Sequence, residues 1–297
     1  MVPSDLPEAA ERRLSESAFS SALSVSDFAA CLEMGLQPVG LVQGFCAVQQ
    51  GSFAMGGGLS RSLSPYGGSQ GGYVQNYQCP HGMISNEHRM WGQNYQQTWV
   101  ETAWMEGFTS SYSRMLEEAG ELGAHGVVGV VDTVTRLTES NVLEFHLRGT
   151  AVKVLDAPPP VASPWSTYLA GQRLSKVFEA GFVPISIVAS IASIRVWAYC
   201  MTEYLMEGAG ASMWANSSGP QEIDQVVTAK SEARYLARTD ARARLGSDSL
   251  RGAHLQLAER EYEKGDLEIQ AVLRGNRVRR YKDFDPLPVP QATVRLS

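Results

Sequence analysis

Apolar positions in this chain recur at two periods, and the two alternate along the sequence. From about Gln96 to Leu122 the large apolar residues Trp104, Phe108, Tyr112, Met115, Ala119 and Leu122 step by four and three. That spacing predicts a long helix with one buried stripe. Glu117, Glu118 and Glu121 are expected on its outer side. A tight turn at Gly123 and Gly126 then leads into a strand from Val127 to Thr135. Its opening run VVGVV is continuously apolar, which predicts burial on both faces. Gly129 inside that run suggests close approach of another backbone. After a turn at Thr138–Asn141 the period becomes two. Leu143, Phe145 and Leu147 alternate with Glu144, His146 and Arg148, so a half-buried strand is expected from Val142 to Leu155.

The same order is legible before and after this block. Ser24 or Ser26 offers an N-cap for a short helix through Asp27, Phe28, Cys31 and Leu32, and Gly35 offers its stop. Pro38 opens an extended run, PVGLVQGFCAVQQ, read as the first strand. A Pro-rich stretch, residues 156–167, divides the chain. Beyond it LEMGLQPVGLV aligns with FEAGFVPISIV, placing Gly35 with Gly181, Pro38 with Pro184 and Val42 with Val188. Ser218-Gly-Pro-Gln221 reads as a capping box opening a second long helix that reaches about Leu245. Its inward face is Val226, Ala229, Ala233, Ala237 and Ala241, smaller than that of the first helix and able to pack closer. Leu245-Gly246 and Gly252 align with Leu122-Gly123 and Gly129, and LRGNRV ends the last strand as LRGTAV ends its counterpart, with Gly275 matching Gly149. Lys264-Gly265-Asp266 is the expected hairpin turn. The second copy replaces GVVGVV by SLRGAHLQL, so Arg251 and His254 stand where apolar residues are expected. That strand should face solvent or a polar partner on one side.

Composition narrows the reading. The chain has 297 residues, room for two domains, with 44% hydrophobic and 19% charged residues. Its net charge of −6 argues against a dedicated nucleic-acid binder. Basic residues thicken only at Arg274, Arg277, Arg279, Arg280 and Lys282, read as a solvated strand end. Four scattered cysteines, Cys31, Cys46, Cys79 and Cys200, form no CxxC pair and no disulfide framework, so a cytoplasmic location is expected. No secretion signal opens the chain. Val183–Met201 approaches the length of a membrane span, but Arg195 interrupts it and Ile, Val and Ser dominate. One or two buried strands explain that mix better, and no membrane span is expected.

Candidate chemistry is sparse. Cys79, His81 and His88, with Cys46 on the neighbouring strand, are the residues that would hold zinc or copper, although C-x-H with one distant His is not a standard ligand spacing. Cys79 with His88 as base is the one nucleophile pairing to weigh, and no orienting third residue or oxyanion motif accompanies it. The carboxylate pairs Glu117/Glu118 and Glu259/Glu261 fit solvated faces better than acid–base work. The Gly-rich stretch 51–75 contains neither GxxxxGK[ST] nor a GxGxxG between strand and helix. It reads as a loop inserted in the first copy, and residues 51–90 as a surface for a protein partner.

The series of short helix, PVGLV strand, long helix, LGAxxVVGV and GTAV resembles the YbjQ family, also known as heavy-metal-binding domains. Pro38–Val42, Leu122–Val130 and Gly149–Val152 carry the likeness. The resemblance implies an α+β fold of β-α-β-β units, YbjQ- or dodecin-like, each a helix on an antiparallel sheet. It also implies a homo-oligomeric ring, typically of five units, and brings no established catalytic residues. The expected organisation is an N-terminal segment 1–23, a first unit 24–155, the linker 156–167, a divergent second unit 168–283 and a tail 284–297. Gly123, Gly126, Val127, Val128, Gly129, Gly149, Gly252 and Gly275 form the expected structural and oligomer motif. The function expected is a non-catalytic scaffold or partner-binding protein forming a ring or larger shell, with no cofactor. Metal binding at Cys79, His81 and His88 is the first alternative, and a Cys-nucleophile enzyme the second.

Overall fold

A computed structural model describes residues 8, 12, 19–50, 92–137, 142–157, 164–198, 202, 206, 222–262 and 266–282. The fold is α+β, with two four-stranded sheets and helices laid against them. The described elements are α1 (Val25–Glu33), β1 (Leu36–Gln49), β2 (Asn94–Gln96), α2 (Thr98–Glu121), β3 (Gly126–Arg136), β4 (Val142–Val154), β5 (Trp165–Ser166), α3 (Gly171–Glu179), β6 (Phe182–Val196), α4 (Asp224–Leu245), β7 (Ser249–Glu261) and β8 (Leu267–Arg280). The first sheet runs β1-β4-β3-β5 and the second β2-β6-β8-β7. All pairings are antiparallel except β3 with β5.

Local sequence explains most boundaries. The Ser24 hydroxyl accepts from the Asp27 N–H at 3.2 Å and caps α1. Gly35 and Gly181 take φ of +72° and +74° just past the two short helices, a region glycine enters without a Cβ clash. Pro38 and Pro184 each precede a register shift, in β1 and in β6, so both first strands bulge at the same place. β3 and β7 also share a bulge, between Val128 and Val131 and between Arg251 and His254, with Gly129 and Gly252 at φ of +62° and +59°. Val42 pairs with Gly149, and Val188 with Gly275.

The first core lies between α2 and its sheet. Trp104, Phe108, Met115 and Ala119 are buried, and they meet Phe145, Leu147, Val127 and Val130. Tyr112 and Leu122 are partly buried beside them. The second core packs Val226, Ala229, Ala233, Ala237 and Ala241 of α4 onto Val188, Ala192, Ile194, Ile269 and Ala271. β6 is buried on both faces, since Ile187, Ala189 and Ile191 join the first core while Val188 and Ala192 join the second. This accounts for its membrane-like run. Among the described residues no helix is long and apolar enough to cross a membrane.

Three expectations are corrected. Glu118 is not on the outer side of α2: it is buried, and its carboxylate accepts the Gln43 N–H at 2.8 Å. Among the described residues β1 ends its sheet, so Gln43 has no strand beyond it to bond, and the acid supplies the acceptor. The second long helix begins at Asp224, with Ile223 at the N-cap making no side-chain cap bond; residues 218–221 lie outside the described residues. The apolar run of β3 is buried only at Val127, Val128 and Val130, and Val131 is exposed because the bulge turns it outward.

Candidate functional site

The sequence-derived ligand set is not assembled among the described residues. Cys79, His81 and His88 lie outside them, as does the whole of 51–90. Cys46 is half-buried in β1 opposite Phe145, packed against the first core. No group of three His, Cys, Asp or Glu side chains is clustered for a metal among the described residues. Of the paired carboxylates, Glu117 is exposed on α2, and Glu259 of β7 bonds Lys230 of α4 at 2.8 Å.

The motif glycines fall into place as contact points. A Cβ on Gly126 would lie 2.2 Å from the Trp165 ring, and one on Gly149 would lie 2.5 Å from Val127 Cγ1. One on Gly275 would meet Leu250 at 2.7 Å. Gly129 and Gly252 hold the two bulges, and Gly123 ends the first long helix at φ +61°. Val127 and Val128 are fully buried.

What the fold does build is a polar seam between its two halves. The strand β5, within the Pro-rich stretch, pairs with Gly126 and Val127 of β3, while the segment after it docks on β8. Asn276 is fully buried there. Its Oδ1 accepts from the Thr167 hydroxyl and the Tyr168 N–H, both at 2.8 Å, and its Nδ2 donates to the Arg251 carbonyl at 3.1 Å. Ser166 joins α2 to β6: its hydroxyl lies 2.6 Å from Tyr112 Oη and accepts the Ile187 N–H at 3.1 Å. Burial pushes the Tyr112 phenol up, against the lowering effect of that Ser166 contact. Glu101 reaches across to accept the Ser193 N–H at 2.8 Å, and burial raises its pKa. Arg274 of β8 pairs with Asp132 of β3, where Asp132 is 5% exposed.

The basic cluster is largely spent on internal partners. Arg277 and Arg279 both hold Asp248, at 2.6 and 2.9 Å. Hydrogen bonding from Arg279, reinforced by Arg277, brings the Asp248 carboxyl down to about 2. Arg195, which interrupts the apolar run of β6, pairs with Asp266 at 3.4 Å and lies 3.7 Å from the Tyr262 ring centroid. Neither Asn276 nor Glu118 was singled out as buried from the sequence. The signal for Asn276 was its place in LRGNRV opposite the Thr of LRGTAV, a polar position retained inside a strand that is otherwise buried.

Two hollows accompany the seam. One, of about 820 Å³, lies between α2 and α4 over Ile191, with Met105 and Leu236 on its walls and the exposed Asp240–Arg244 pair at 2.7 Å. The other, of about 790 Å³, is apolar and lies beside Met34, Trp165, Phe178 and Tyr281. Neither brings a nucleophile against a base among the described residues. The seam is chemistry for holding elements together.

No family model matches the chain, and no solved structure matches it. The chain is 26% identical over 292 residues to the encapsulin nanocompartment protein Rv1762c of Mycobacterium tuberculosis, and the match covers 94% of each chain.

Proposed function

We propose that this protein is a structural, non-catalytic component of a homo-oligomeric assembly, a ring or larger shell of the nanocompartment kind. The observation that carries the reading is the end-to-end match to a nanocompartment protein, which spans both halves rather than one module. Two further features support it. The polar groups in the seam between the halves are mainly bonded to each other, a pattern that fixes geometry rather than chemistry. The order of short helix, bulged strand, long helix, bulged strand and final strand occurs twice. We read these as tandem YbjQ-like units, in keeping with a family expected to form rings, and place the assembly in the cytoplasm.

Native mass spectrometry of protein purified without chelator, followed by negative-stain electron microscopy, tests the reading. A metal-free multimer with a closed outline is the expected result. A monomer at micromolar concentration would refute it, and a monomer carrying stoichiometric zinc or copper would transfer attention to Cys79, His81 and His88.

A further inference from the structure

Among the described residues the chain contains one complete contact between its halves and the two unmatched ends of a second. In the complete contact, β5 and the residues after it lie along the outer edge of β3. The Trp165 N–H donates to the His125 carbonyl at 3.1 Å and the Thr167 N–H to the Val127 carbonyl at 3.0 Å. The Gly129 N–H donates to the Leu169 carbonyl and the Val130 N–H to the Thr167 carbonyl, both at 3.0 Å. The bulge at Gly129 turns those two N–H groups outward. The docking segment is preset by its own bond, the Thr167 hydroxyl accepting the Leu169 N–H at 3.1 Å, and is anchored to Asn276.

The other strand of this type, β7, has the same bulge and the same positive φ at Gly252. By register, the counterparts of the four bonding groups are the Asp248 and Leu250 carbonyls and the Gly252 and Ala253 N–H groups. β7 ends its sheet, and among the described residues no strand lies beyond it. Arg251, Gly252, Ala253 and His254 are all exposed. An edge of this kind is a template for another strand.

The unmatched segment stands before α1. The Ser21 hydroxyl accepts the Leu23 N–H at 3.1 Å, as Thr167 does for Leu169. Ser21 also lies 3.1 Å from the hydroxyl of Thr150, the residue of β4 at the place Asn276 has in β8. Counting from Ser21 as from Thr167, Phe19 corresponds to Trp165, and it is 56% exposed. This segment is tied to the first sheet of its own chain, with Leu23 beside Gly129.

We infer that a second copy of this chain supplies the missing strand: residues 19–23 of one chain pair in parallel with residues 249–253 on the open edge of β7 in the next, with Phe19 opposite Ser249. The inference rests on the self-assembly reading and gives it a contact. Main-chain bonds carry the affinity, as in other cases of strand addition. Side chains need not repeat: Ser249 has the Cβ that Gly126 lacks, and Phe19 presents a smaller ring than Trp165. The contact is head-to-tail, because each chain offers a strand at one end and an edge at the other. Such contacts build a ring where the rotation from one chain to the next closes, and an open filament where it does not. Each chain brings two sheets, so a closed ring holds an even number of them; a ring of five sheets would leave half a chain over.

The test uses full-length protein. One variant carries Phe19→Cys and another Ser249→Cys, each with Cys46, Cys79 and Cys200 changed to Ser. On mixing and mild oxidation the two are expected to cross-link to each other, and neither to itself. Ala253→Pro removes one outward N–H at an edge position where the ring is tolerated. It is expected to convert the native-mass oligomer to single chains with an unchanged far-UV circular dichroism spectrum. No cross-link from the mixture, or an Ala253→Pro protein that assembles as the wild type does, overturns the pairing while leaving the scaffold reading intact. A wild-type protein that is itself monomeric overturns both.

Discussion

The two halves solve one packing problem with opposite choices of size. In the first, Phe145 of β4 lies against α2 at Gly107, where a Cβ would come within 2.2 Å of the ring. In the second, the residues at these places are Ala271 and Ala233, both fully buried. One half fits a large side chain to a missing one; the other uses two small ones. The strands beneath the helices follow suit. Gly44 of β1 leaves so little space that a Cβ would stand 1.9 Å from the Ser111 carbonyl oxygen. Its counterpart Ser190 uses its hydroxyl instead, donating to the Ala237 carbonyl of α4 at 2.7 Å. The first helix can therefore be aromatic because it has a second surface to cover: Trp104 and Phe108 share a cluster with Ile187, Ala189 and Ile191 of β6. No equivalent sheet lies on α4 among the described elements, and its outward residues Val227 and Tyr235 are exposed.

The largest effect that separates these designs is expected at Phe145. Phe145→Ala should cost about 3–5 kcal/mol in a urea titration, since it empties the site that Gly107 shapes. A loss under 1 kcal/mol would mean that the aromatic half is not the tighter one. Gly107→Ala should cost about 1–3 kcal/mol by forcing the ring aside, and Phe145→Leu in that background should recover part of it. Ser190→Ala should cost about 1 kcal/mol, the usual net value of a buried hydrogen bond. If Ser190→Ala is neutral, contact between α4 and β6 rests on alanine packing alone. Chelation and Cys79→Ser should leave both the melting temperature and the native mass unchanged, because no group of three His, Cys, Asp or Glu side chains is clustered for a metal among the described residues; a fall in either would revive the Cys79, His81 and His88 site.

Much of this contrast was legible in the sequence because it is written in periodicity. The stripes Trp104–Phe108–Met115–Ala119 and Val226–Ala229–Ala233–Ala237–Ala241 fall on the buried faces of α2 and α4. The paired glycines and prolines of the two halves mark the same bulges and helix ends. What escaped was everything decided by the partner across a gap. Glu118 shares its turn with two exposed acids, and the sheet edge opposite, whose Gln43 N–H its carboxylate accepts, sets it apart from them. Trp165 and Ser166 sit among prolines, and their role as a strand comes from the edge of β3, not from their own propensity. Asn276 needs Thr167 and Tyr168, more than a hundred residues away, to be satisfied.

The smallest change expected to be measurable concerns the residue just before each bulged strand. In the first half this is His125, whose Nδ1 accepts the Val154 N–H at 3.2 Å. In the second it is Asp248, 2% exposed and held by two arginines. Its pKa is about 2 in the folded chain, against about 3.9 for a free aspartate. The ionised form therefore stabilises the fold fully above about pH 4, and this contribution fades as pH falls from 4 toward 2. Asp248→Asn should lower the melting temperature modestly at pH 7 and narrow its gap from the wild type as pH falls through that window. Parallel acid profiles for wild type and Asp248→Asn would mean that the two arginines hold the carboxylate no more tightly in the folded chain than water does in the unfolded one, and that the second half closes its turn by backbone bonds alone.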